Sequence, residues 1–159
     1  MWILEPSDDY VRRQSHDDGK EDTNQRASAS VYYIEKGGAI ANALLECNMA
    51  TGMFRNNGNR IISNGDVSVN NNTGLAALLL GATGGYRVYF NDADMTINEI
   101  GYTQEGGWEY RGIISKDPQG WGALGAQFTG KENITVASAR DIRTMEVVRR
   151  NSDGNWRIS

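Results

Sequence analysis

The chain has 159 residues, enough for one domain with a single buried core, and 19 glycines with only two prolines suit a turn-rich folded protein. A net charge of −4, with no basic cluster larger than a pair such as Arg149-Arg150, excludes the basic surface on which nucleic-acid binding rests. A single cysteine, Cys47, excludes an internal disulfide and reads as a buried structural thiol, and the longest apolar run, residues 75–80, is far shorter than a bilayer span.

In chain order, the opening Met-Trp-Ile-Leu-Glu-Pro is too short in apolar residues, and too poor in basic ones, for a signal peptide. That leaves a cytoplasmic location and a non-classical secretion route both open. Residues 1–29 read as a flexible polar tail, because residues 5–29 bury too little apolar surface to offset their ordering entropy. The only histidine, His16, lies there beside Asp17 and Asp18, too little for a metal site. From residue 30 to residue 63 a first unit contributes Val31-Tyr32-Tyr33, the apolar run 40–45 and Ile61-Ile62 as expected core. An Asn- and Gly-rich linker, 64–72, follows.

The second unit, residues 74–115, is the clearest. It runs through an apolar strand at 75–80, a glycine turn at 81–85 and a β-branched and aromatic strand at 86–90. A polar turn at Asn91-Asp92-Ala93-Asp94 leads to a strand at 96–102, a turn at 104–107 and a last strand at 108–114. Residues 116–122 link it to a third unit, 123–159, that repeats the same order. The first unit matches only the last three strands, since residues 16–22 are polar where an inner strand should lie.

The three units end in Ile-Ile-Ser, Ile-Ile-Ser and Ile-Ser at Ser63, Ser115 and Ser159, spacings of 52 and 44, while Trp108 and Trp156 lie 48 apart. Four strands per unit and a period in the forties predict an all-β fold of β-propeller blades, about three four-stranded antiparallel meanders with the first incomplete. Three blades make only a partial propeller. The reading therefore implies either a longer protein or pairing between copies that completes a ring.

Arg-Val-Tyr-Phe, Asn-Asp-x-Asp, Ile-x-Glu and Gly-Gly-Trp in the second unit resemble a blade of the fungal fucose-specific lectins. The resemblance implies a six-bladed propeller binding L-fucose between neighbouring blades, with fucosylated glycans as partners and no cofactor or metal. Residue by residue, the family's sugar-binding Arg falls on Arg87, its Glu on Glu99 twelve residues later, and the Trp of the next blade on Trp156. Tyr102 and Trp108 would wall a second, degenerate site between the first and second units. The chemistry fits a deoxy-sugar: a guanidinium fork and a carboxylate meet vicinal hydroxyls, and an indole covers the C–H face.

The other units depart from the pattern. Thr135 stands for the Arg in the third, where Glu146 is expected to match Glu99 and Arg149 to match Tyr102; Ser30 and Asn42 stand for Arg and Glu in the first. A plain structural alternative remains for each residue. Arg87–Glu99 can be a cross-strand ion pair, and the tryptophans core aromatics that lock adjacent blades. The function expected is non-catalytic fucose recognition, with a degenerate propeller serving as a protein-interaction scaffold as the alternative. A glycosidase-like enzyme is disfavoured. Asp92 and Asp94 sit in a turn that favours Asp for backbone reasons, and no histidine lies in the folded part for Ser-His chemistry. Asn71-Asn72-Thr73 and Asn133-Ile134-Thr135 are sequons that matter only in a secreted protein.

Overall fold

The computed structural model describes residues 26–48, 51–63, 67–70, 72–81, 85–116, 123–130, 133–139, 141, 143–151 and 153–158. The expected tail up to residue 25, most of the second linker, His16 and Ser159 lie outside them. Every element among the described residues is a β-strand. The first sheet holds β1 (Arg26–Ile34), β2 (Ile40–Asn48) and β3 (Met53–Ile61). The second holds β4 (Ala76–Leu79), β5 (Tyr86–Asn91), β6 (Ile97–Thr103) and β7 (Gly107–Ser115). The third holds β8 (Leu124–Phe128), β9 (Ile134–Ala139), β10 (Met145–Arg150) and β11 (Trp156–Ile158). Each sheet is an antiparallel meander in which sequential strands are neighbours. Strand structure is already present at Arg26, the first described residue, ahead of the expected boundary at residue 30.

The meanders follow from the turns. Between β5 and β6 the Asp92 carboxylate accepts hydrogen bonds from the backbone N–H of Asp94 and of Thr96 and from the Thr96 hydroxyl, closing the loop on itself. Between β6 and β7 the Thr103 hydroxyl accepts from Gly106 N, and Gly107 takes a φ of 70° that a side chain would resist. The segment around Val69 runs beside this end of β5, bridging to Asp92, while Asn70 N donates to Asn91 O at 3.0 Å.

Side chains on a strand point alternately to its two faces, so a sheet covered on both sides is apolar throughout. The middle sheet is of this kind. Val88, Phe90 and Ile100 join Tyr32, Ile40 and Ile62 of the first unit in one core. Tyr89, Ile97 and Ile114 join Ile134, Val136 and Val148 of the third in another. In β9, by contrast, fully buried Ile134, Val136 and Ser138 alternate with half-buried Thr135, Ala137 and Ala139, so only one face of the third sheet is closed by described residues. Inner strand β4 lies against inner strand β8, and outer strand β7 against outer strand β11. The sheets therefore follow one another as blades do, in a partial propeller.

Candidate functional site

The seam between the second and third sheets gathers the expected residues. Arg87 and Tyr89 leave β5 on the face opposite Val88 and Phe90. In the β5–β6 register Arg87 faces Gly101 and Tyr89 faces Glu99, which makes Arg87 and Glu99 diagonal neighbours on one face. They form an ion pair, Arg87 Nε to Glu99 Oε1 at 3.0 Å, with side chains only 8% and 4% exposed. The Nε–H does not point along that line and has no aligned hydrogen-bond acceptor. Arg87 Nη1 donates instead to the Tyr86 and Tyr102 carbonyls at 2.8 and 3.3 Å.

Trp156 of β11 meets this face through Tyr89, edge to face with ring centroids 6.0 Å apart. Tyr89 is fully buried, and its hydroxyl lacks a well-aligned partner. Burial pushes its pKa far up, with the neighbouring Glu99 carboxylate adding to the shift. For the ion pair, burial outweighs mutual attraction on both sides. It lowers the Arg87 pKa, helped by the positive charge of Arg111, and raises that of Glu99 against the pull of Arg87, Arg150 and Arg111.

Arg111 and Arg150 were not among the expected site residues. The strand register shifts between Glu99 and Ile100, and Arg111 falls at that irregularity, between Tyr110 and Gly112. It lies over Gly101, where a Cβ would overlap its guanidinium and approach Arg87 Nη1 to 3.1 Å. Arg150 comes from the third sheet, and here two sequence matches need correction. Arg150 pairs with Trp156 as Tyr102 pairs with Trp108, so Arg150, not Arg149, holds the Tyr102 position. Likewise Val147, three residues before Arg150, holds the Glu99 position. Glu146 lies one residue away on the opposite face, where it pairs across the strand with Ser138 and accepts from the Ser115 hydroxyl at 2.7 Å. Both errors arise from aligning forward from the glutamates. Counting six residues back from each tryptophan reaches Tyr102 and Arg150 directly.

The first seam repeats the apolar half of this design. Tyr32 faces Asn42 across β1 and β2 as Tyr89 faces Glu99, so Asn42 and Ser30 do occupy the Glu and Arg positions. Trp108 packs edge to face on Tyr32 at 6.0 Å and stacks obliquely on Tyr102 at 5.3 Å. The Asn42 amide nitrogen is buried without a hydrogen-bond partner. Both tryptophans therefore join adjacent sheets, the structural role kept open for them above.

Elsewhere, a cavity of about 400 Å³ lies at the β2–β3 end, lined by Cys47, Asn48, Met53 and Phe54 among others, away from the ion pair. Among the described residues no cluster of His, Cys, Asp or Glu is placed to hold a metal, and no helix is long and apolar enough to cross a membrane.

Repeated antiparallel meanders joined by Tyr–Trp contacts define the class, an all-β blade-repeat protein. Comparisons with protein-family profiles and with curated protein sequences found no match. Among solved structures, the chain is similar to a fucose lectin from Kordia zhangzhouensis in complex with methyl-fucoside, with 16% identity and a TM-score of 0.44 over 80% of this chain and 95% of that one.

Proposed function

We propose that this chain is a non-catalytic, lectin-type carbohydrate-binding protein, with its saccharide site at the mouth of the seam between the second and third sheets and fucose or a fucosylated glycan as ligand. The observation that carries the reading is the convergence of Arg87, Glu99, Tyr89 and Trp156 on one face, with an Arg87 N–H and the Tyr89 hydroxyl left without aligned partners. Buried polar groups without partners are costly, and a ligand hydroxyl reaches them only where the seam opens. Arg87 and Glu99 supply directed donors and acceptors, and the half-buried Trp156 offers an indole to an apolar sugar face. Such a site binds at roughly millimolar to micromolar strength once ordering and dehydration are counted. Asp92, weighed as a catalytic carboxylate, is occupied by its own turn.

Calorimetric titration with L-fucose tests the reading, with Arg87→Ala as control. Saturable binding lost in the variant is the expected result. No heat up to tens of millimolar sugar from a folded sample overturns it. The near-complete burial of the ion pair favours a second reading in that event, in which Arg87–Glu99 and the Tyr–Trp contacts lock blades of an interaction scaffold.

A further inference from the structure

We infer that the fucosylated glycan taken at this seam carries an anionic group, a carboxylate or a sulfate, held by Arg150 and Arg111. This deepens the lectin reading and rests on it. Where the first seam presents Tyr102 beside its tryptophan, the second presents Arg150 at the same register beside Trp156. The substitution exchanges an aromatic wall for a guanidinium. From the other sheet Arg111 lies across Gly101 against Arg87, a placement that only a residue without a side chain at 101 permits. Arg87 thus pairs with the Glu99 carboxylate, and Arg111 and Arg150 both lie near enough to act on it electrostatically.

The local charge does not balance. Glu99 pairs with Arg87, and Glu109 pairs with Arg111 from an exposed position, whereas Arg150 spends its Nε–H on the Gly154 carbonyl at 3.2 Å. Among the described residues one positive charge is left over at this seam, in a chain whose net charge is −4. The Arg111 side chain and Arg150 are both partly buried, more open than the Arg87–Glu99 pair, so their charge lies toward the mouth of the seam, above that closed floor. A planar guanidinium binds carboxylate or sulfate oxygens in pairs, more strongly than it binds a neutral hydroxyl.

The test is calorimetry on the full chain with matched sugars: glucuronic acid against glucose, galactose 6-sulfate against galactose, with L-fucose and inorganic sulfate alongside. At least one acidic sugar should bind about tenfold or more tighter than its neutral counterpart, and the better acid distinguishes carboxylate from sulfate. Arg150→Ala should abolish the difference, and Arg111→Ala, at a position outside both apolar cores, should reduce it. Equal affinity for acidic and neutral sugars, or a preference that survives both substitutions, overturns the inference while leaving the lectin reading standing. Inorganic sulfate binding as tightly as the sugar sulfate also overturns it. No binding of any sugar by the folded chain removes both readings.

Discussion

At the scale of single residues, the Arg87–Glu99 pair dominates because it is buried. Removing one partner of such a pair strands the other charge, so Arg87→Met should lower stability by about 3–5 kcal/mol, whereas an exposed pair would cost about 0–1 kcal/mol. Arg87→Met combined with Glu99→Leu should recover most of that loss, since apolar residues of similar volume need no dehydrated charge. Urea unfolding of the three proteins decides it, and equal midpoints for the single variant and the parent would place the pair in solvent. The pH dependence follows from the raised Glu99 pKa. A folded state that holds the proton more tightly than the unfolded chain is favoured most below the ordinary glutamate value. That contribution is lost as pH rises through the folded value. Glu99→Gln, which does not titrate, should flatten this part of the stability profile, and an unchanged slope would argue against the burial that causes the shift.

At the scale of elements, the seams are built by one contact used twice. Trp108 on Tyr32 and Trp156 on Tyr89 have the same 6.0 Å edge-to-face geometry. Each tryptophan bridges two sheets that are otherwise joined through their apolar cores. Trp156→Ala should cost about 3–5 kcal/mol by the rule for large aromatics, and should also weaken any sugar binding, whereas Trp108→Ala should match it in stability and leave that binding intact. Thermal unfolding with near-ultraviolet circular dichroism measures the first effect, calorimetry the second. The outer strand β7 depends on Gly112, which takes a φ of 106° opposite Glu99 and where an added Cβ would meet open space. Gly112→Ala should therefore cost about 1–3 kcal/mol through backbone strain alone, with no clash to relieve.

At the scale of the whole molecule, the described residues form three sheets in series and leave two outer faces uncovered among themselves. The third sheet turns half-buried Ala137 and Val147 away from the seam, and the outer strands carry exposed Ile61, Ile113 and Ile158. Blades stacked without closure expose such faces and strand edges, which propellers normally cover. The expected consequence is self-association of this chain to complete a ring. Light scattering on an eluting sample should give a mass above that of one chain at micromolar concentration. A monomer at all concentrations would exclude ring completion by copies of this chain alone.

The sequence by itself determined the strand content, the order of the meanders and the recurrence of the tryptophan at Trp108 and Trp156, while Arg87 and Glu99 stood out only through the family resemblance of the second unit. Alternation, turn chemistry and a repeat of Ile-Ser endings are local signals, and local signals survive in one dimension. It misplaced Glu146 and Arg149 by one residue, because a strand has a period of two and a slip of one moves a side chain to the other face. Only the tertiary structure decided that Arg150 and Arg111 join Arg87. One arrives from the neighbouring sheet, the other from a strand irregularity over a glycine, and neither approach is written in the spacing of the motif.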